Sequence, residues 1–422
     1  MKKRSVLLSR LLSVFLLVFL SCDSPEKTTE EKVSDIHEEI LTLDSHADTP
    51  LMMMREGFDI GEYNDPHDGG GKIDFPRMFE GGLDAAFFAV YLSQGELTDR
   101  AIDRARERAL NIYEMIHNAL DEYSDMAGLA LSSDDAYRLN EEGRLAIYLG
   151  LENGYPIGRD LAWVEKVYDL GTRYITLSHN RNNDICDSAT DPDGPEHNGL
   201  SDFGVEVVKE MNRLGMIIDV SHISDEAFYD VIEVSKTPVA ATHSNARALA
   251  DVPRNMDDDM LLALKENGGV VQVTFVGPFV KEMEPNPERQ AAFAELREKW
   301  GDYNELSDEE MDQVREEWQN INQKYPRELA TVSDLVDHID YIVDLIGVEH
   351  VGIGTDFDGG GALEDCFDVT EIENITFELY ERGYTRDEIE KIWSGNFMRV
   401  FREVEEVARQ WAGEKEEMAE VM

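Results

Sequence analysis

Cysteine is scarce in this chain, with 3 among 422 residues. So few cysteines cannot build the disulfide framework of a small secreted scaffold. Cys186 and Cys366 also lack the close spacing of a zinc-binding cysteine cluster, so we assign neither of them a function. Internal repeats and low-complexity tracts are absent as well. What remains is an ordinary globular composition, 42% hydrophobic, which is sufficient for a sizeable core.

Basic residues are few, since 39 Lys and Arg stand against 89 Asp and Glu, for a formal net charge of -50. A surface this acidic repels nucleic acid and anionic membranes, which excludes a phosphate-backbone partner. Two interpretations of the acidity remain open. The charge either keeps the protein well solvated or adapts it to high salt, where counterions screen the self-repulsion. The excess of Arg over Lys, 25 to 14, fits the second interpretation.

Long apolar runs are confined to the N-terminus, where four basic residues precede a run at 11–20 that is too short to span a bilayer comfortably. The Leu-Ser-Cys sequence that ends at Cys22 resembles a bacterial lipoprotein processing site. We therefore predict a signal peptide over 1–22, with Cys22 lipidated after cleavage, and a polar linker over 23–36. The protein is then expected in the bacterial cell envelope, periplasmic or on the surface, with this lipid as its only membrane contact. A plain secretory signal and an uncleaved anchor helix remain alternatives.

Short apolar runs alternate with amphipathic helical patterns along the rest of the chain. Their composition predicts strands buried on both faces, at 40–45, 85–91, 145–151, 174–178, 216–221, 238–242, 270–275 and 351–355. Eight strand-helix repeats predict an α/β fold, a (β/α)8 TIM-like barrel over 37–405.

Two segments fall outside this alternation. The charged stretch at about 280–327, with helical patterns at 289–300 and 308–323, is predicted as a helical insertion after the seventh strand. It is either a surface elaboration or a lid over the active-site face. Residues 406–422 are predicted as an acidic helical tail.

Titratable residues follow the predicted strands. They are His46 and Asp48 after the first strand, Glu152 after the third, His179 after the fourth, His222 after the fifth, His243 after the sixth, and Asp356 and Asp358 after the eighth. A single buried histidine is usually a core residue, but barrels of this kind carry their catalytic residues at the C-terminal ends of several strands. The pattern therefore predicts an active site at one mouth of the barrel.

Imidazole nitrogens and carboxylate oxygens together suit zinc and similar divalent ions. His46 and Asp48 leave the same face of an extended segment and can bind one ion. His222 and His243 can bind a second, and Glu152 can bridge the two. Two ions roughly 3.5–4 Å apart would share a water, lower its pKa and present hydroxide to a carbonyl carbon.

His179 and Asp356 are among the residues left without a metal to bind. His179 can stabilise the oxyanion that develops on the substrate. Asp356 can transfer the proton of the attacking water to the leaving amine.

These residues lie within a set of short sequence motifs, and the order and spacing of the motifs along the chain are specific. The motifs are DSHAD at 44–48, GLENG at 150–154, LSHN at 177–180, GLSDFG at 199–204, IDVSHIS at 218–224, THSNA at 242–246, RNM at 254–256 and GTDFDG at 354–359. Through them, the chain resembles the membrane dipeptidase (renal dipeptidase) family of zinc metallopeptidases from about residue 44 to 404. The resemblance implies a barrel of the metal-dependent hydrolase type that cleaves dipeptides with a free C-terminal carboxylate, L,L and also L,D. It favours a homodimer.

The resemblance also implies a role for each site residue. It implies two Zn2+ per chain, with Co2+ or Mn2+ as substitutes, on the ligands His46, Asp48, Glu152, His222 and His243. His179 corresponds to the substrate-polarising histidine and Asp356 to the proton-transfer aspartate. Arg254 corresponds to the arginine that binds the terminal carboxylate, which its planar guanidinium pairs with bidentately.

The sequence departs from the mammalian members at the enlarged insertion and at Val276 and Gly277, near their substrate-contacting tyrosine. Two other functions remain as alternatives. An amidohydrolase-type deacylase of N-acyl-amino acids would typically begin with His-x-His, whereas this chain has His46-Ala47-Asp48. A non-catalytic envelope lipoprotein would be expected to have lost a ligand.

Overall fold

The computed structural model of the protein describes residues 27–301 and 306–421, without the side chains of 68, 308, 312 and 414–421. The predicted signal peptide and the lipidated Cys22 lie outside these described residues. Within the described part of the chain, no helix has the length and apolar character needed to cross a membrane.

Nine parallel strands form one sheet. They are β1 Leu43–Ala47, β2 Ala85–Tyr91, β3 Ala127–Leu129, β4 Leu145–Glu152, β5 Thr172–Thr176, β6 Ile217–Asp219, β7 Ala240–Ala241, β8 Val270–Val273 and β9 Val351–Ile353. Eight of them follow one another in the order β1-β2-β4-β5-β6-β7-β8-β9. The Asp356 N–H donates to the His46 carbonyl at 2.9 Å, which brings the chain after β9 back to β1. The architecture is therefore a nearly closed parallel (β/α)8 TIM-like barrel, and the predicted fold class is confirmed.

The barrel strands and helices alternate, with additional helices in the connections. The helices of the described chain are α1 Thr29–Glu39, α2 Thr49–Met53, α3 Phe75–Gly81, α4 Asp99–Glu122, α5 Asp135–Glu141, α6 Ala162–Asp169, α7 Asp202–Leu214, α8 Asp225–Val234, α9 Asp258–Asn267, α10 Gly277–Val280, α11 Pro287–Trp300, α12 Asp308–Lys324, α13 Val332–Ile346, α14 Glu373–Glu381, α15 Arg386–Glu390 and α16 Asn396–Val421. Several begin at a Ser, Thr or Asp whose side chain accepts from a backbone N–H of the first turn, as Ser201 does for α7.

Side chains of the strands alternate between two cores. Phe87 of β2 stacks on Tyr148 of β4, with ring centroids 4.7 Å apart, inside the barrel. Its neighbour Phe88 belongs to the larger core between the strands and the surrounding helices. Phe397 and Phe401 of α16 pack on the interior cluster. The first half of α16 therefore closes one end of the barrel, so the predicted acidic tail is the continuation of a core helix.

The predicted polar linker is wrong over residues 29–36, which lie in α1. Thr28 and Glu31 form a capping box that starts this helix, and Val33 is buried. His37 fixes the helix to the barrel domain, because its Nδ1 lies 2.7 Å from the Thr376 hydroxyl and its Nε2 lies 3.0 Å from the Gly81 carbonyl. The acidic composition of this stretch is typical of a linker, but the stretch forms an ordinary amphipathic helix.

The strand β3 was not predicted. It has only the sequence Ala-Gly-Leu and pairs with the first half of β4, outside the order of the eight barrel strands. A run of this length carries no periodic signal. The two helical patterns predicted in the insertion are present as α11 and α12.

Candidate active site

Glu152, the last residue of β4, lies at the centre of the predicted site residues. Its Oε2 is 3.5 Å from His46 Nε2, and its Oε1 is 3.4 Å from His222 Nε2 and 3.7 Å from His243 Nε2. His46 Nε2 also lies 3.9 Å from an oxygen of Asp48. Ligand atoms lie within 4.8 Å of one another in three overlapping groups, which are His46 with Glu152 and His243, Glu152 with His179 and His222, and His46 with Asp48 and Asp356. Glu152 belongs to two of these groups.

The site residues stand at strand ends where the backbone leaves the regular ladder. His222, after β6, has φ 71°, and after β9 Asp356 and Asp358 have φ 57° and 68°. These left-handed conformations are unfavourable for residues with a Cβ, costing on the order of 1–3 kcal/mol each, and they cluster at functional sites. Two of them, His222 and Asp356, belong to the groups of candidate ligand atoms at the barrel mouth.

Several buried polar atoms of the site have no hydrogen-bond partner among the described residues. They include His46 Nε2, Asp48 Oδ1 and Glu152 Oε2. A buried polar atom without a partner costs about 1–3 kcal/mol. In addition, the Nε2 atoms of His222 and His243 face each other at 2.8 Å. Lone pairs of neutral imidazoles and carboxylates converging in this way fit divalent cations.

Neighbouring hydroxyl groups set the orientation of two histidines, and sequence reasoning missed all of them. Thr242 Oγ1 donates to Asp219 Oδ2 at 2.8 Å and lies 2.9 Å from His243 Nδ1. Since that hydroxyl proton is already used, Nδ1 must carry the proton and Nε2 presents its lone pair to the site. The Tyr174 hydroxyl lies 2.8 Å from His46 Nδ1, where either atom can be the donor. Only the position of Asp219 at the end of β6 offered a sequence signal.

Burial and neighbouring charges shift the pKa of the site groups. Burial lowers the pKa of His222 and of His243 well below the usual range, so both are neutral and able to bind metal. Burial opposes the charge of His46 too, but the Glu152 carboxylate outweighs it and raises the pKa to about 9, so a cation that binds His46 must displace a proton. Desolvation, with Glu152 nearby, raises the pKa of Asp356 to about 7. So many carboxylates in one pocket favour bound cations.

Arg254 is a buried guanidinium with unused hydrogen-bonding capacity. Its Nη2 donates to the His243 carbonyl at 3.1 Å, and its Nη1 lies 3.4 Å from Ser244 Oγ. Its Nε has no partner, and no carboxylate of the described side chains lies within 4.0 Å. Burial lowers its pKa to about 10, which still leaves it charged at neutral pH. The guanidinium is therefore available to an anion at the site.

His179 is the most exposed of the site histidines, and its Nε2 lies 3.4 Å from Glu152 Oε1. Its ring packs against the edge of Tyr91, with centroids 4.9 Å apart, a contact that was not predicted. Burial lowers the pKa of His179 to about 4. Asp358, by contrast, has a structural role, because its oxygens accept from the Thr49 hydroxyl at 3.0 Å and from the Lys72 N–H at 2.8 Å.

Comparison with known proteins identifies similar sequences over nearly the whole chain. Residues 30–415 match the family model described as membrane dipeptidase (peptidase family M19). The dipeptidase tcpJ of Claviceps purpurea is 30% identical over 378 residues, covering 88% of this chain and 78% of that protein. The dipeptidase verJ of Clonostachys rogersoniana is 32% identical, covering 82% of this chain and 79% of that protein.

Solved structures agree with the fold. The probable dipeptidase PvdM from Pseudomonas aeruginosa has a TM-score of 0.77 and 31% identity, covering 90% of this chain and 99% of that chain. A metallopeptidase from Rhodobacter sphaeroides, liganded with a phosphinate mimic of the dipeptide L-Ala-D-Ala, has a TM-score of 0.68 and 24% identity, covering 86% and 99%. At that identity, the second similarity concerns the fold alone.

Proposed function

Because this chain belongs to the membrane dipeptidase family of metallopeptidases and is a dipeptidase of that family, we propose that it hydrolyses dipeptides with a free C-terminal carboxylate by means of two zinc ions. The observation that carries the proposal is the position of Glu152, whose Oε2 faces His46 and whose Oε1 faces His222 and His243, at 3.4–3.7 Å. Cobalt or manganese would suit the same donors.

Five residues would hold the metal pair. His46 and Asp48 would bind one ion and His222 and His243 the other, with Glu152 between them. When bound, such a pair lowers the pKa of a water molecule and supplies the nucleophile for amide hydrolysis. The unpartnered nitrogen and oxygen atoms in this cluster support the assignment, since bound cations would satisfy them.

His179 and Asp356 would act on the substrate itself. His179 remains neutral at physiological pH because burial lowers its pKa to about 4, so its N–H can donate to the carbonyl oxygen as negative charge develops there. Asp356, with a pKa near 7, can accept a proton from the attacking water and deliver it to the leaving amine. Arg254 would bind the C-terminal carboxylate through its unused donors.

The test combines metal content per chain with an activity panel. Purified protein, loaded with zinc or cobalt, is assayed on L,L and L,D dipeptides and on N-acetyl amino acids. The L,D set is included because the Rhodobacter sphaeroides relative was crystallised with an L-Ala-D-Ala mimic. Two ions per chain and hydrolysis of dipeptides are expected, and Glu152→Gln should lose activity and metal together.

Other outcomes would favour the alternatives. Hydrolysis of the N-acetyl amino acids alone would indicate a deacylase. Two bound ions without hydrolysis of any substrate would indicate a binding protein of the envelope.

We also propose that the protein is exported and anchored by a lipid on Cys22, on the basis of residues 1–22 alone. Replacing Cys22→Ser should then release the dipeptidase from the membrane fraction. Retention of the variant there would contradict the lipid anchor. The family resemblance also leads us to propose a homodimer. Measuring the mass of the protein in solution would test this proposal.

A further inference from the structure

Two fully buried aspartates make the same set of hydrogen bonds at different places in the barrel. Asp219 of β6 accepts through Oδ1 from the backbone N–H of Thr242 at 2.9 Å and of Ser221 at 3.0 Å, and through Oδ2 from the Thr242 hydroxyl at 2.8 Å. Asp44 of β1 holds Thr355 in the same way, with the N–H at 2.8 Å and the hydroxyl at 2.6 Å. We call these pairs the β6–β7 clamp, Asp219 with Thr242, and the β9–β1 clamp, Asp44 with Thr355.

Both clamps lie where the strand ladder of the barrel is short or interrupted. β6 and β7 share a single register pair, Asp219 with Ala240, and β7 has only two residues. Between the described strands β9 and β1 there is no ladder, and an isolated bridge joins Ala47 to Phe357 just beyond them. Hydrogen bonds to a carboxylate are stronger than those between neutral groups. The clamps therefore hold together strands that backbone pairing alone holds loosely.

Each clamp also carries two residues of the candidate site. The residue after the threonine is His243 in the β6–β7 clamp and Asp356 in the β9–β1 clamp. On the aspartate side, His222 follows three positions after the first aspartate and His46 two positions after the second. The Nε2 atoms of His222 and His243 lie 2.8 Å apart, and the Asp356 N–H donates to the His46 carbonyl at 2.9 Å. A shift in either clamp would therefore displace two site residues together.

The clamps differ in the second contact of the threonine hydroxyl. In the β6–β7 clamp, the Thr242 hydroxyl lies 2.9 Å from His243 Nδ1. In the β9–β1 clamp, the Thr355 hydroxyl accepts from the backbone N–H of Phe357 at 2.9 Å. Because Thr242 gives its own proton to Asp219, its oxygen can only accept from the His243 ring, which leaves the lone pair on Nε2. The β6–β7 clamp therefore acts on a histidine ring, and the β9–β1 clamp acts on backbone.

We propose that Asp44 and Asp219 are positioning residues of the candidate site, and that Asp219 in addition selects the tautomer of His243 that can bind a metal ion. This inference rests on the proposed two-zinc function. Neither aspartate belongs to the groups of candidate ligand atoms, so each acts through its threonine. Asp44 acts on position alone, because its threonine accepts from a backbone N–H.

The matched substitutions Asp219→Asn and Asp44→Asn test this inference. In each clamp Oδ1 accepts two backbone N–H groups, so the amide oxygen would take that place and the new NH2 group would replace Oδ2. In Asp219→Asn, this NH2 group would face the hydroxyls of Thr242 and Thr176. Thr242 would then accept from it and donate to His243 Nδ1, which moves the ring proton to Nε2 and blocks metal binding there. In Asp44→Asn, the same change reaches no ring.

Three quantities are measured on the full-length protein: zinc content after dialysis against graded chelator concentrations, kcat on a dipeptide, and the midpoint of thermal unfolding. We expect Asp219→Asn to weaken the binding of one of the two ions by about 10–100-fold, the usual effect of losing a group that orients a metal-binding histidine. Asp44→Asn should bind both ions as the wild type does, but its kcat should fall about tenfold because Asp356 is displaced. A purely structural role would lower both midpoints and leave the metal affinities alike.

Thr242→Ser and Thr242→Val provide a second pair, which decides the question if an asparagine variant folds poorly. Serine keeps the hydroxyl and should keep both ions, whereas valine keeps the shape without the hydroxyl and should weaken one ion. Equal metal affinity in Asp219→Asn and Asp44→Asn, or in the two Thr242 variants, would overturn this inference alone. Fewer than two zinc ions on the wild type would contradict the proposed function as well.

Discussion

At the scale of single residues, the site is defined by donors and acceptors that the folded chain itself leaves unsatisfied. His46 Nε2, Glu152 Oε2 and Arg254 Nε are buried without a protein partner. Single buried atoms without a partner also occur elsewhere among the described residues, such as Gln272 Oε1 and Thr274 Oγ1, but at this site several of them converge. The unpartnered atoms of the site are of two kinds. His46 Nε2 and Glu152 Oε2 fit a bound cation, and the N–H of Arg254 fits an anionic group.

Asp356 provides the first prediction. Asp356→Asn should slow turnover by about 10²–10⁴-fold, the usual contribution of a proton-transfer group, while both metals stay bound. The physical reason is that the amide keeps the shape of the carboxylate but cannot accept a proton. Metal content and kcat are measured on the same preparation. Loss of metal in this variant would contradict a proton-transfer role and make Asp356 a ligand.

Arg254 provides the second prediction. Arg254→Ala should raise KM strongly for dipeptides with a free carboxylate, because the bidentate charged contact is lost. The C-terminal amides of the same dipeptides serve as the control, since they never make that contact. KM is measured for each pair. An equal increase for acids and amides would show that Arg254 supports the structure and does not bind the carboxylate.

The side chains that we propose as metal ligands could be selected from the sequence because each follows a recognisable apolar strand. The residues that orient them could not. Tyr174 looks like an ordinary strand residue, and only the barrel brings its hydroxyl group within 2.8 Å of His46 Nδ1. Thr242 precedes His243 in the sequence, but only the fold brings its hydroxyl group to Asp219. Long-range side-chain contacts of this kind have no local sequence pattern.

At the scale of elements, the loop after β9 carries one aspartate of the candidate site and a second aspartate that holds neighbouring chain segments. It contains two left-handed residues, Asp356 and Asp358, followed by three glycines. The backbone N–H groups of Gly360 and Gly361 donate to the Asp356 carbonyl at 3.0 and 2.7 Å, which holds the turn tightly. This loop fixes the position of two carboxylates at once, so small changes in it should have large effects.

The third prediction compares two adjacent glycines of this loop. Gly359→Ala should abolish metal binding and activity, because the new Cβ would stand within about 2 Å of oxygens of Asp48 and Asp356. Gly360→Ala is the matched control, since its Cβ would meet only a Val276 methyl at 3.7 Å. Metal content and dipeptidase activity are measured for both. Similar behaviour of the two variants would contradict the close approach at Gly359.

Elements with strong periodicity were predictable, and those defined by their tertiary context were not. The eight barrel strands and the helices of the insertion were visible in the sequence. The sequence of α1 is typical of a linker, because its charged residues outnumber the single buried valine and the capping box is a weak signal. The role of α16 also escaped prediction, because a helix that closes a barrel has the same pattern as one that lies on its surface.

At the scale of the whole molecule, the fold and the charge impose different requirements. The (β/α)8 barrel requires buried strands and a filled interior, which a chain of 42% hydrophobic content provides. The charge of -50 acts across the whole surface and opposes compaction. The described ion pairs are mostly exposed and individually weak, so they offset little of this repulsion.

The last prediction therefore concerns salt. If the acidity is an adaptation to high salt, thermal unfolding in molar KCl should occur at a higher temperature than in dilute buffer, because screening removes repulsion that the folded state suffers more than the unfolded chain. Each kcal/mol of relieved repulsion should raise the midpoint by about 2 °C. Sucrose at equal osmolality is the control, since it strengthens burial without screening charge. If the midpoint in KCl is no higher than the midpoint in sucrose, the acidic surface serves only to keep the protein solvated.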